Sequence, residues 1–147
     1  MKEILPSEIL CVHDKYGKRA ALVLRWGAWL PCELNPLYAE AIDALRSQGR
    51  KVAQATDFQG DGGLGTVRAL FRKVLDSAME HSAQDIVTIV APRVARSYRA
   101  LCFEDMLPAD HSRVWDLARD PDGDFLPTRL IRLAIDQIPP EKMGRFF

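Results

Sequence analysis

The sequence predicts a mixed α/β domain built on a central, mostly antiparallel sheet of about six strands. Three observations lead there. Two β-prone runs, Ile9 to Val12 and Arg19 to Trp26, flank the polar stretch Asp14-Lys15-Tyr16-Gly17-Lys18, which is the pattern of a hairpin. A glycine-rich turn, Gln59-Gly60-Asp61-Gly62-Gly63-Leu64-Gly65-Thr66, runs into a stretch where Leu64, Val67, Phe71, Val74, Leu75 and Ala78 recur three or four apart. That spacing buries one face of a helix. A continuous apolar run, Ile86 to Ala91, follows and completes one βαβ crossover.

The other elements follow in order. Asn35-Pro36 opens a helix, with Asn in the cap and Pro at the first helical position. Leu37, Tyr38, Ala41, Ile42 and Leu45 supply its apolar face, and Gly49 stops it. Lys51 to Phe58 reads as a strand leading into the glycine turn. A short helix carries Tyr98 and ends at Leu101-Cys102-Phe103-Glu104. Glu104 to Leu107 is expected to be a strand and Val114 to Leu117 a weaker one. The last strand, Leu130 to Ile135, lies within Pro127 to Asp136, so hairpins are expected at both ends of the sheet. The tail from Pro139 is expected to be loose or a docking segment.

At 147 residues the chain is one domain, with its core over about 9–136. Lys plus Arg and Asp plus Glu are both 20, which argues against a general nucleic-acid-binding role. Cys11, Cys32 and Cys102 are an odd number without CxxC spacing and read as reduced thiols. The start, Met1-Lys2-Glu3-Ile4-Leu5-Pro6, is too short and charged for a signal peptide. No run approaches the roughly 20 apolar residues of a membrane span. A soluble, cytoplasmic protein is expected. No metal site is expected either, because His13, His81 and His111 lie far apart. Asp120-Pro121-Asp122-Gly123-Asp124 begins like a calcium loop, but Phe125 and Ile131 stand where its glycine and bidentate Glu belong.

The glycine turn is the strongest functional signal. Bare backbone N–H groups there can approach an anion, which the positive end of the helix dipole favours. A dinucleotide fingerprint would need a third glycine at Arg68, and a Walker loop would need a lysine before Thr66. A plain glycine-rich turn remains open. Tyr98 is chemically suited to protonate a thiolate, since its ordinary pKa near 10 lies close to that of a thiol.

Gly63-Leu64-Gly65-Thr66 resembles the second half of the acyl-CoA pyrophosphate loop of the GNAT superfamily, (Gln/Arg)-x-x-Gly-x-(Gly/Ala), with Gln59 one position early. Tyr98 followed by Cys102-Phe103 resembles the superfamily pattern of a Tyr before a Gly-Phe pair, with Cys102 in place of glycine. Within the superfamily, several stretches resemble the long-chain N-acyl amino acid synthases and the acyl-homoserine-lactone autoinducer synthases. These are Leu30-Pro31, Ile42 to Arg46, Gly49 to Ala53, Val90 to Arg93 and Pro127 before the last strand.

The resemblance implies a GNAT-like fold and transfer of a fatty acyl group from acyl-CoA or an acyl carrier protein to an amine. It implies that Gln59, Gly62, Gly63, Leu64, Gly65 and Thr66, with Phe58, bind the phosphopantetheine donor. Tyr98 would act as acid, and Gln54 would stand at the position of the base. Arg93, Arg96 and Arg99 form either a solvated ridge or a docking patch for an acidic carrier.

Two departures stand out. Those families carry Glu-x-(Ser/Thr)-Arg on the strand before the loop, where this chain has Gln54-Ala55-Thr56-Asp57. An amide cannot take the proton, and Asp57 reverses the arginine's sign. The chain also begins at the first hairpin, without the strand and helix that wall the acceptor pocket in those families. That truncation implies an open pocket, one completed by a partner, or lost activity. An exposed strand near Ile9 to Val12, with Trp26 and Trp29 behind it, implies a homodimer or a heteromeric partner. The alternative to an enzyme is a non-catalytic GNAT-like module that binds an acyl donor or a partner protein.

Overall fold

The computed structural model describes residues 6–60, 64–91, 98–106 and 128–146. Among the described residues the sheet has six strands: β1 (Ser7–His13), β2 (Arg19–Trp26), β3 (Val52–Gly60), β4 (Asp85–Val90), β5 (Glu104–Asp105) and β6 (Arg129–Ala134). Their spatial order is β1-β2-β3-β4-β6-β5. β3 and β4 are parallel, and every other pairing is antiparallel. The first hairpin and the single crossover match the sequence reading. At the far end β5 and β6 pair antiparallel with β6 lying between β4 and β5, and residues 107–127 of their connection lie outside the described residues. The strand and calcium-like turn expected over 114–124 lie outside the described residues.

Strand alternation sorts the apolar side chains into two cores. Ala53, Ile86, Ile131 and Leu133 face α2 (Leu64–Glu80) and pack with its Leu70, Phe71, Val74, Leu75 and Ala78. Val52, Val87 and Leu130 face the other way, toward α1 (Pro36–Ser47) and the 3-10 turn Pro31–Leu34. There they meet Leu30, Cys32, Tyr38, Ile42 and Leu45. The period of two along each strand thus builds one core on each side of one sheet. α1 begins as expected, with the Asn35 side chain accepting the Leu37 N–H at 3.0 Å and Pro36 leading.

The tail is not loose. Pro140–Phe146 forms a helix, α3, and Met143 packs against the α2-side core. Pro140 at its first position suits a helix start because no N–H is needed there. The surface expected around Trp26 also needs correcting. Ile9 on the outer strand is 76% exposed and Trp29 is exposed. Trp26 instead packs against the core, its ring stacked on His81 with centroids 3.8 Å apart. No helix among the described residues is long and apolar enough to cross a membrane.

One ion-pair hub fixes the start of the crossover. Asp85 is fully buried and accepts from Arg50 Nε at 2.6 Å and Arg132 Nε at 2.8 Å. Arg50 also reaches Asp136 at 2.6 Å, tying α1's exit, β4 and the end of β6 together. The bond from Arg50 holds Asp136 below the usual carboxylate range. Its folded pKa is depressed, so its contribution is complete at neutral pH. It is lost as pH falls through that depressed value.

Removing Asp85 would take from Arg132 and Arg50 the buried carboxylate they share, leaving Arg50 its bonds to Asp136. Asp85→Ala should therefore cost about 3 kcal/mol or more of stability, read as a lowered urea midpoint at unchanged slope. Arg132→Gln, which leaves Asp85 its Arg50 partner, should cost less.

Candidate active site

β3 and β4 pair over only three positions, Val52 with Asp85, Ala53 with Ile86 and Gln54 with Val87. Beyond them β3 continues to Gly60 and β4 to Val90 without a shared ladder. The Thr88 hydroxyl donates to the Ala55 carbonyl at 3.0 Å across the opening. The two strands therefore splay, and a cleft of about 670 Å³ opens between them. That volume falls in the range of small-molecule sites.

A bulge accounts for the splay on the β3 side. Ala21 pairs with Gln59 and Val23 with Thr56, so Asp57 and Phe58 together oppose Leu22 alone. Asp57 sits at φ +55°, the left-handed region that aspartate tolerates better than most residues. Bulges increase local twist and re-aim side chains. The Phe58 ring folds back over Gly60, where a Cβ would lie 3.0 Å from the ring tip and push this exposed side chain outward.

The cleft communicates with both faces of the sheet. Leu22, Phe71 and Tyr98 line it on the α2 side, while Pro31, Cys32, Leu34 and Thr128 line it on the α1 side. Tyr98 packs edge-on against Phe71 at 5.5 Å and Phe103 at 5.4 Å between ring centroids. Its burial pushes the phenol pKa up from its ordinary value, so the hydroxyl keeps its proton throughout the neutral range. Burial likewise pushes the Cys32 thiol up to about 12, leaving it a neutral wall rather than a nucleophile.

The predicted site residues divide between places. Tyr98, Gln54 and Phe58 come together in the cleft. Gln54 is buried, and its Oε1 accepts the Cys32 N–H at 2.9 Å. That bond holds the 3-10 turn against β3 and occupies the amide oxygen. Gly65 and Thr66, in the first turn of α2, border a separate, smaller hollow with Val12, His13, Asp14 and Ala69. A Cβ at Gly65 would meet nothing within 4 Å. Gln59 is exposed near the end of β3. Gly62, Gly63 and the Leu64 side chain lie outside the described residues, as do Arg93 and Arg96. Arg99 pairs with Asp105 at 2.9 Å.

One group escaped the sequence reading. Arg25 on β2 donates from Nε to the Thr56 hydroxyl at 3.1 Å and from Nη2 to Asp57 at 3.4 Å. All three residues line the cleft. The positive charge that Asp57 displaces from β3 is thus present one strand over. The available signal was a lone arginine ending an otherwise apolar run, Ala20-Ala21-Leu22-Val23-Leu24. With Asp57 side chain 64% exposed, this ion pair contributes only about 0–1 kcal/mol to stability.

Cys102 explains its own departure from the glycine pattern. The Phe103 N–H bonds the Tyr98 carbonyl at 3.1 Å and the Cys102 N–H bonds the Arg99 carbonyl at 3.0 Å. These bonds close a Schellman motif whose left-handed position is Cys102, at φ +68°. Glycine would enter that position without strain.

A split parallel pair in a six-stranded mixed sheet, with Tyr98 in the lining of the split, is the arrangement of a GNAT-like fold. Residues 25–115 match the model of the N-acyl amino acid synthase FeeM family, and the chain belongs to that family. It is similar in structure to FeeM, an N-acyl amino acid synthase from uncultured soil microbes. The identity is 17%, with 89% of this chain and 74% of that chain covered at a TM-score of 0.66. It is also similar to yncA from Salmonella typhimurium, solved with acetyl-CoA. There the identity is 15%, with 84% and 69% covered at a TM-score of 0.49. Among curated protein sequences, none matches significantly.

The geometry around Cys102 yields a clean test. Cys102→Gly should leave the thermal midpoint equal or higher. Cys102→Val, a β-branched residue forced to positive φ, should cost about 1–2 kcal/mol, measurable by thermal or urea unfolding.

Proposed function

We propose that this protein is an N-acyltransferase that moves a fatty acyl group from acyl-CoA or acyl carrier protein to an amine such as an amino acid. The observation that supports this most is the β3–β4 splay with Tyr98 facing into it. A thioester donor is a long chain bearing amides. The β3 backbone beyond Gln54, relieved of its β4 partner, offers those amides hydrogen bonds in strand-like fashion. Residues 62–66 would hold the phosphate at the start of α2. The thioester would lie beside Tyr98, whose retained proton goes to the departing sulfur as the carbon–sulfur bond breaks.

Gln54 supports a second reading, a module that binds the donor or a partner without turning it over. Its amide can neither take a proton nor move freely, because Cys32 holds its oxygen. Mass spectrometry of ligand co-purified with the protein, followed by a turnover assay with the identified thioester, separates the two. Bound thioester without turnover on any amine favours the module.

Tyr98→Phe keeps the edge-on aromatic contacts and removes only the hydroxyl. It should lower kcat by about 10²-fold while leaving donor affinity unchanged; equal turnover would reduce Tyr98 to packing. Gly65→Val places new methyls where the protein itself has open space. The fold should tolerate it while donor binding weakens by about tenfold or more in titration calorimetry. Unchanged affinity would move the phosphate site elsewhere.

A further inference from the structure

The described lining of the cleft holds one carboxylate and one fixed cation, Asp57 and Arg25. Stability does not account for them, since their exposed pair stabilises the fold little and Asp57 sits in a left-handed bulge. The Thr56 hydroxyl receives the Arg25 Nε–H at 3.1 Å and lies 3.2 Å from Asp57 Oδ2. It fixes the guanidinium plane and the carboxylate beside each other. Of the five guanidinium donors, those not used by Thr56 and Asp57 remain for an incoming anion. Leu34 and Phe58, both exposed, lie in the same lining and offer apolar surface.

We propose that Arg25 and Asp57 form the acceptor site for a zwitterionic α-amino acid with an apolar side chain. Arg25 holds the acceptor's carboxylate, and Asp57 takes the proton from its ammonium group. The proposal rests on the acyltransferase reading and supplies the carboxylate base that Gln54 cannot be.

The step balances as follows. The ammonium gives one proton to Asp57, and the free amine attacks the thioester carbonyl to form the carbon–nitrogen bond. The carbon–sulfur bond then breaks, and the thiolate takes the Tyr98 proton. The nitrogen's second proton passes through solvent to restore Tyr98, and Asp57 returns its own to water. Amide, free thiol and one released proton are the net products.

The test uses L-leucine and L-leucinamide as acceptors, identical except that the second lacks the carboxylate. Wild type should acylate leucine at least tenfold better by kcat/KM. Arg25→Gln should abolish that preference by lowering the leucine value far more than the leucinamide value, and Arg25→Lys should restore part of it. Asp57→Asn should lower kcat by about 10²-fold at neutral pH. That deficit should narrow as rising pH supplies the free amine.

Calorimetric titration of the same two compounds into the protein holding CoA reads the acceptor site without turnover. Leucine should bind more tightly than leucinamide, and Arg25→Gln should remove the difference. Equal use of both compounds by an active wild type would overturn the Arg25–Asp57 site and leave the acyltransferase intact. So would equal losses on both in Arg25→Gln. Selective leucine binding without transfer of any acyl group would sustain the site and overturn the acyltransferase.

Discussion

The buried Asp85 carboxylate is the constraint on which the cleft depends. It stands at the first of the three β3–β4 pairs and receives Arg50 from the turn after α1 and Arg132 from β6. Three separate stretches of chain are thereby held at one end of the parallel pair. A pair of strands can diverge to a useful width only if its other end is held shut. Desolvating three charges is costly, and the arrangement is stable because each oxygen of Asp85 has a guanidinium partner. The splay beyond Gln54 is the counterpart of that closure.

The bulge at Asp57 and Phe58 converts the opening into a site with chemical character. Without it, β3 would keep strict alternation, and Asp57 would fall on one face in step with Ala55. The extra residue changes the phase of the strand between Thr56 and Gln59, placing a carboxylate, a hydroxyl and an aromatic ring along one cleft. Arg25 comes from the neighbouring strand in the register that pairs it with Gln54. The charges at the cleft are therefore set by strand register, and the apolar walls by the two cores.

The regular elements were legible in the sequence because each carries its own period. The α2 stripe, the Asn35-Pro36 start of α1 and the Ile86 to Ala91 run follow from local rules that packing did not override. The resemblance around Gly63 to Thr66 and Tyr98 gave the superfamily, and the stretches Leu30-Pro31, Ile42 to Arg46, Gly49 to Ala53 and Val90 to Arg93 gave the family. What the sequence withheld was relational. Nothing in Gln54-Ala55-Thr56-Asp57 announces a bulge, since aspartate tolerates the left-handed region without requiring it. The meeting of Arg25 with Asp57 depends on a cross-strand register between residues 32 apart. The binding of Gln54 to the Cys32 amide likewise joins segments that no periodicity links. The helix at Pro140 was missed because seven residues are too few for a periodic signal.

The sheet can also be regarded mechanically. It consists of two three-stranded ribbons, β1-β2-β3 and β4-β6-β5, fastened by a short seam at the Asp85 end and by the cores on either side. At the other end the Thr88 hydroxyl reaches across to the backbone of β3. A linear molecule lying between the ribbons and bonding along β3 would act as a strap, resisting their separation. The empty protein and the strapped one then differ in stiffness more than in shape, and the ribbons' relative motion becomes the mode most sensitive to occupancy.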